Sequence, residues 1–348
     1  MEKIGLIIWG VTTVLTLIVA VIILMKFRSK LKAAKTVRKI DEGLYTMEFA
    51  GDYGFEEFLR RGGASTDRKM AEYITEVLSN GFCKPKSEEV KKDFGCSTIA
   101  VTDNNGKTLF GRNYDWQKCT AMIIHTKPKK CYESYSTCCL EHLGFGEGWK
   151  PEGMGRQYTA LAGIYVPMDG INEKGLCVAD LVCLDGEEVH QDNGRTALTI
   201  GSAIRMILDK ASTVDEAVDM LKHCDMNSSI GMAHHLAITD TTGKAVVVEY
   251  AGNEMIVTET PIVTNHSVHT GNTSSIDNQE SHTRFGKLTE IRESIEGNGD
   301  RDKLRNCMSD VSYEDITQWS IVYDVQERSF DFYWQREYGK AYSYKLNP

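Results

Sequence analysis

In the stretch "FGCSTIAVTD", Cys96 stands at the mouth of an apolar, β-branched run, and "GRNYDW" brings Arg112 sixteen residues later and Asp115 nineteen residues later. A cysteine thiol of ordinary pKa is only slightly ionised near neutral pH, so it needs a base or a cation beside it to attack an amide. The nine histidines offer no evident partner: His234 and His235 begin a strand-like run, and His266 and His269 flank a loop. A different base is created if the Gly95–Cys96 bond is cut. The freed α-amine has an intrinsic pKa of about 7.7–8, well placed for general-base work. Nucleophile and base then sit on one residue. Asp115 is a candidate to orient that amine, and Arg112 to favour the thiolate. Asn265, just after "PIV", is a candidate donor to a tetrahedral oxyanion.

These residues need elements that bring them together. "CSTIAVTD", the turn "NNGK" and "TLFGRNYDW" read as a β-hairpin with Asn-Gly at its turn. That hairpin returns Arg112 and Asp115 to Cys96. Residues 41–95 read as helical, with "FEEFLRR" and "DRKMAEYITEVLSNG" showing three- and four-residue apolar spacing. Residues 119–160 read as irregular. "DGINEKGLCVADLVCL" supplies strands around a turn, with Asn172 as a turn residue. "LTIGSAIRMILDKA" and "TVDEAVDMLKHC" carry a helical period, and strands return in "HHLAITDTTGKAVVVEYAG" and "EMIVTETPIVTN". A helix at "HTRFGKLTEIRES" precedes the strands of "TQWSIVYDVQERSFDFYWQREY". The pattern is α+β, with two antiparallel sheets and helices outside.

The run from Cys96 to Trp116 resembles the start of mature choloylglycine hydrolases and penicillin V acylases, and of the β-subunits of acid ceramidase and N-acylethanolamine acid amidase. "DGINEKGL" at 169–176, "IVTN" at 262–265 and "TRF" at 283–285 extend the resemblance in order toward the C-terminus. It implies a four-layer αββα N-terminal-nucleophile (Ntn) hydrolase sandwich over residues 96–348, acting on linear, non-peptide amides. It implies Cys96 as nucleophile and base, Arg112 and Asp115 as its partners, Asn265 as oxyanion donor and Arg284 as a charge near the site. One position departs. Six residues beyond the leucine of "NEKGL", bile-salt enzymes carry asparagine and penicillin V acylases tyrosine; here it is Val182. Bile-salt specificity is therefore not supported, and a second oxyanion donor falls to a backbone N–H.

The N-terminus carries its own signal. Residues 4–25 hold no charge, enough helix to span a bilayer with some tilt, and residues 26–39 carry seven positive charges. This reads as a single uncleaved transmembrane anchor whose basic flank stays in the cytoplasm with all that follows. Residues 26–95 then form a basic flank and a helical propeptide, which after cleavage is free to leave or to stay bound. With net charge −9 overall, the chain beyond residue 39 carries about −16, which makes it a poor polyanion binder and discounts nucleic acid. The ten cysteines include no C-x-x-C pair, so a zinc ribbon is unsupported, and reduced, buried thiols are expected with no cofactor or metal. Neither a disulfide nor a metal site is favoured for Cys131, Cys138 and Cys139. Glycosylation at the Asn265 sequon would block the site, which fits a compartment without it. The substrate expected is a small N-acyl amide with an apolar acyl group, its pocket walled partly by Tyr132, Tyr135, Phe145, Trp149 and Tyr158. An acyltransferase on the same fold, and a catalytically inactive membrane-anchored binding protein, are the competing readings.

Overall fold

The computed structural model of the chain describes residues 9, 13, 14, 16, 27–79, 95–146, 148–270 and 278–347. Most of the expected span 4–25 lies outside the described residues. Among the described residues no helix is long and apolar enough to cross a membrane.

The apolar alternation of the chain is resolved into two large sheets. The nine-stranded sheet runs, edge to edge, through Arg38–Asp41, Leu44–Ala50, Ala121–Lys127, Ser134–Cys139, Asp169–Asn172, Cys177–Cys183, Ala233–Thr239, Ala245–Ala251 and Glu254–Glu259. The six-stranded sheet runs through Ile262–Val263, Gly95–Thr102, Thr108–Asp115, Thr317–Asp324, Ser329–Trp334 and Ala341–Lys345. Three apolar cores follow from these surfaces. One joins the larger sheet to the helices Phe55–Arg60, Asp67–Ser79, Ile200–Lys210 and Val214–Lys222. A second, with Phe110, Tyr114, Leu181, Val247, Trp319 and Phe332, draws on both sheets and lies between them. The third packs the helices Gln279–Ile295 and Arg301–Asp310 on the outer face of the smaller sheet through Leu288, Leu304 and Met308.

The helical reading of residues 41–95 needs correcting. Phe55–Arg60 and Asp67–Ser79 are helices, but Arg38–Asp41 and Leu44–Ala50 are strands, joined through Gly43 at φ +74°. Leu44–Ala50 pairs in parallel with Ala121–Lys127, Leu44 opposite Ala121 and Ala50 opposite Lys127. Its partner is thus more than seventy residues away and on the far side of Cys96, so local periodicity carries little trace of it. Tyr45, Met47, Phe49, Tyr53, Phe55, Phe58, Tyr73 and Leu78 are buried in the same core as Ile204, Ile207 and Leu208. The segment before Cys96 is therefore part of the folded body.

Residues 119–160 are also more regular than their composition suggests, holding the strands Ala121–Lys127 and Ser134–Cys139. The expected aromatic wall does not converge. Phe145, Trp149 and Tyr158 pack on the helix-side core, whereas Tyr135 packs between the sheets against Phe330 and Tyr344. The nine described cysteines are free thiols, eight of them buried.

Candidate active site

Strand register assembles the site. Gly95–Thr102 pairs with Thr108–Asp115, which sets Gly95 opposite Asp115 and Thr98 opposite Arg112. On its other side Thr98 pairs with Val263, so the chain two residues beyond Val263 arrives at Cys96 carrying Asn265. Thr317 pairs with Asp115 across the third strand. Arg284 reaches in from the helix Gln279–Ile295 that covers the sheet. All five residues singled out from the sequence are brought together and are buried.

The contacts centre on the amide of Cys96. Its N–H donates to Asn265 Oδ1 at 2.7 Å. Arg284 donates Nη2 to the same oxygen at 2.7 Å and Nη1 to the Cys96 carbonyl at 2.6 Å. Asn265 Nδ2 donates to Val182 O at 2.8 Å. With two donors on Oδ1, the orientation of this side-chain amide is fixed. While the Gly95–Cys96 bond is intact, Asn265 thus orients the nitrogen of Cys96 and its own N–H is spent on a carbonyl.

Electrostatics at the site are set by burial and by two guanidinium groups. Burial pushes the Cys96 thiol up; Arg112 pulls it down, and Asp115 raises it further. Burial works against the Arg112 cation, yet Cys96 and Asp169 outweigh it and its pKa rises. Arg112 is held by the carbonyls of Asn113 and Asp180 at 2.7 and 2.6 Å, with Asp169 Oδ2 3.5 Å from Nε. Burial also raises the Asp115 carboxyl, against the pull of Arg284, Thr317 and Arg112. Thr317 donates to Asp115 Oδ1 at 2.5 Å, while Oδ2 has no hydrogen-bond partner and stands 3.7 Å from Arg284 Nη1. A Cβ on Gly95 would lie 2.9 Å from Tyr313 Cε2 and 3.3 Å from both Arg284 Nη2 and Asp115 Oδ2, so only glycine fits without movement.

Three neighbours escaped sequence reasoning. Thr317 opens the "TQWSIVYD" strand, and only pairing shows that it meets Asp115. Asp169 belongs to the motif "DGINEKGL", but its carboxylate role, receiving Thr137, Trp319 and Tyr323 beside Arg112, needs the third dimension. Tyr313 lies under the Arg284 guanidinium at 4.9 Å. Asn172, read as a turn residue, is one: its Oδ1 accepts the N–H groups of Lys174 and Leu176. Val182 contributes its carbonyl to Asn265, so its backbone matters here whatever its side chain.

The arrangement offers a nucleophile, a guanidinium at its side, a carboxylate and a side-chain amide around one peptide nitrogen, a set suited to acyl transfer from an amide. Comparison with known proteins agrees in class. The bile salt hydrolase/transferase of Clostridium perfringens (strain 13 / Type A) is 26% identical over 216 residues, 57% of this chain and 61% of that protein. The chain thus spans about three fifths of that relative's length. Crystal structures of two mutants of the conjugated bile acid hydrolase from Clostridium perfringens share the fold. An arginine-to-leucine variant matches with TM-score 0.55 at 17% identity, and a cysteine-to-alanine mutant with TM-score 0.54 at 16%, each covering 72% of this chain and 92% of the other. A model of linear amide C-N hydrolases, choloylglycine hydrolase family, matches residues 96–285, opening on Cys96 itself. The chain belongs to the choloylglycine hydrolase family of linear amide C-N hydrolases.

Proposed function

We propose that this hydrolase cuts its own Gly95–Cys96 bond and then uses the new N-terminal cysteine to hydrolyse an N-acyl amide with an apolar acyl group. The observation that carries the reading is the hydrogen bond from the Cys96 N–H to Asn265 Oδ1, beside an unpartnered Asp115 oxygen. A peptide nitrogen on a buried strand rarely has a side-chain amide, a guanidinium and a free carboxylate oxygen arranged around it. Those groups suit an amine better than an amide.

In the first reaction Cys96 Sγ attacks the Gly95 carbonyl carbon. The C–N bond breaks, a thioester joins Gly95 to Sγ, and the thiol proton passes to the amine, with Asp115 as the relay. Water then cleaves the thioester, leaving a Gly95 carboxylate and a free Cys96. In the second reaction the same sulfur attacks the substrate carbonyl. The α-amine, held on Asn265 Oδ1, takes the thiol proton and delivers it to the leaving nitrogen. Arg112 steadies the thiolate. Asn265 Nδ2 serves the oxyanion by exchanging the Val182 carbonyl for it. Water completes turnover. An amine acceptor gives acyl transfer instead, a reading favoured by the hydrolase/transferase character of the Clostridium relative.

The leader stays bound after the cut, because its strands and helices share a core with the body. Residues 4–25 anchor the assembly, with the catalytic part on the cytoplasmic side. An impermeant thiol reagent that labels an engineered surface cysteine on intact cells would reverse that side. The activity is tested with N-acyl amino acids, N-acylethanolamines, penicillin V and conjugated bile salts, on wild type and Cys96→Ser. Wild type is expected to cleave at least one class and Cys96→Ser none. If processed wild type cleaves none and a thiol-reactive acyl analogue leaves Cys96 unlabelled, the binding-protein reading takes its place.

A further inference from the structure

Beneath the Asn265 loop lies a second buried cluster that the amidase chemistry does not use. Cys183 ends one strand of the larger sheet, His235 lies on the next, and Glu249 on the one after. All three are buried, and one ligand atom from each lies within 4.8 Å of the others. His235 Nδ1 stands 3.2 Å from the carbonyl of Thr264. A carbonyl only accepts, so Nδ1 carries a hydrogen and Nε2 is the nitrogen that faces the cluster, open to a proton or to a metal ion. Nε2 is 3.0 Å from Glu249 Oε1 yet makes no hydrogen bond of acceptable geometry. Glu249 is itself positioned, Oε1 accepting from the Val268 N–H and Oε2 from the His269 N–H, both at 2.9 Å. Cys183 Sγ has Asp185 Oδ1 at 3.5 Å. A nitrogen, a carboxylate and a sulfur thus converge in a buried place at whose edge the Cys183 thiol donates to exposed Asp185, and the charge there calls for a cation, either a proton on His235 or a metal ion. Such a concentration of negative charge is costly unless a cation sits within it.

We propose that Cys183 Sγ, His235 Nε2 and the Glu249 carboxylate bind one divalent metal ion, with zinc the best fit, departing from the expectation that the protein holds no metal. The donor set mixes soft sulfur, imidazole and carboxylate, the combination zinc accepts. Donor-to-metal distances of about 2.0–2.3 Å let a single ion bridge atoms at the spacing seen here. The outer groups have the usual supporting form: the other imidazole nitrogen donates to a carbonyl, and the carboxylate is held by backbone N–H groups. Binding converts the Cys183 thiol to thiolate and releases its proton to water. The ion ties three adjacent strands to the segment 264–269. That segment also leans on Cys183's neighbours, through the Leu184 N–H to Asn265 O at 2.7 Å and Asn265 Nδ2 to Val182 O at 2.8 Å. Held this way, the ion fixes the loop that carries Asn265, and a fourth ligand completes its shell.

Another cluster, Cys119, Cys139 and Glu141, has similar spacing and similarly bonded thiol and carboxylate groups, but it has no counterpart to the unpartnered His235 Nε2. Both Glu141 oxygens accept from the Thr120 N–H, and the Cys139 thiol donates to Glu141 Oε2 at 3.4 Å. It serves as the control. The full chain is incubated with zinc sulfate, desalted and analysed for metal per chain; a second sample receives cobalt(II) chloride and its absorption spectrum is recorded. One zinc per chain is expected, with a thiolate-to-cobalt charge-transfer band. Both should be retained in Cys119→Ser and lost in Cys183→Ser. Zinc no higher than the buffer blank, or binding unchanged by Cys183→Ser, overturns the proposal and leaves a proton as the cation of the cluster. Should Cys183→Ser prove insoluble, His235→Gln takes its place: loss of the zinc supports the site and unchanged binding overturns it. The readout needs no enzymatic activity, so it stands or falls apart from the amidase reading.

Discussion

Arg205 and Asp209 stand one helical turn apart in Ile200–Lys210 and meet at 2.7 Å with both side chains buried. Tyr53 donates its hydroxyl to Asp209 Oδ1 at 2.5 Å, Arg205 Nη2 donates to Ser134 Oγ at 2.7 Å, and the guanidinium lies over the Tyr53 ring. Arg284 and Asp115 are equally buried, yet they are held 3.7 Å apart, and Asp115 Oδ2 has no hydrogen-bond partner. The carboxylate of the first pair is closed, although Arg205 Nε and Nη1 have no partner, and one of its donors, Tyr53, comes from the segment before the proposed cut. The second is open, because Arg284 gives its hydrogen bonds to Cys96 and Asn265 instead of to the carboxylate. A closed buried pair locks two parts of the chain together. An open one leaves a carboxylate oxygen without a donor, at a cost in stability.

The largest test of this contrast is Cys96→Ala. Wild type should yield a chain of 253 residues beginning at Cys96, and the variant should remain at 348 residues by intact mass. A variant cleaved like wild type would mean that another protease makes the cut. Next comes Asp115→Asn, expected to lower turnover of processed enzyme by about 10²–10⁴-fold, the range of a lost proton-transfer group. The same change has a stability signature. Burial raises the Asp115 pKa in the folded chain, so ionising it costs stability: the cost is absent below its ordinary value of 3.8 and grows as pH rises through the raised folded value. In the uncut Cys96→Ala background, Asp115→Asn should therefore melt above its parent at neutral pH and lose that advantage in acid. Self-cleavage of the uncut chain should correspondingly slow on the acid side at a pH above 3.8, as the carboxylate takes its proton. An Asn variant that melts lower at neutral pH would show Asp115 to be a structural partner like Asp209.

Asp209→Ala probes the closed pair. Stranding the buried Arg205 cation should cost about 3–5 kcal/mol in denaturant unfolding. In processed enzyme it should weaken the hold on the leader, seen as a lower leader-dissociation midpoint in denaturant, because Tyr53 loses its acceptor while the shared core remains. A leader that separates from wild type without any mutation would refute the claim that this pair is a seam.

What the sequence revealed and what it hid follow the same division. The Cys96 hairpin was legible because its strands are adjacent and its turn is Asn-Gly, so Arg112 and Asp115 could be brought back beside Cys96; the register, which sets them opposite Thr98 and Gly95, came from the structure. The helices Ile200–Lys210 and Val214–Lys222 were legible from period, and Gln279–Ile295 from the position of its motif. Leu44–Ala50 was not, since its partner strand lies on the other side of the proposed cleavage point. The register of Ile262–Val263 on the Cys96 strand, which delivers Asn265, is likewise a long-range pairing; the residue was found by motif and its orientation was not. Asp169 and Thr317 act through pairings and hydrogen bonds that no local pattern encodes.

The smallest expected effect is the most specific to the open site. Gly95 has no side chain where a Cβ would press on Tyr313 at 2.9 Å and approach Arg284 and Asp115 at 3.3 Å. Gly95→Ala should strain the uncut chain by about 1–3 kcal/mol, the usual range for overpacking. If the crowding displaces Asp115 or the Gly95 carbonyl from the geometry of attack, cleavage slows by roughly 10²-fold, the usual cost of a misplaced reacting group. Residue 95 leaves with the propeptide, so the 253-residue product is chemically the same chain as wild type. Turnover per processed chain should then be unchanged while the half-time of processing, followed by gel, lengthens. A loss of turnover in the processed fraction would mean that the leader's C-terminus remains in the site and shapes it. Processing at the wild-type rate would mean that the crowding around Gly95 has no bearing on the cut.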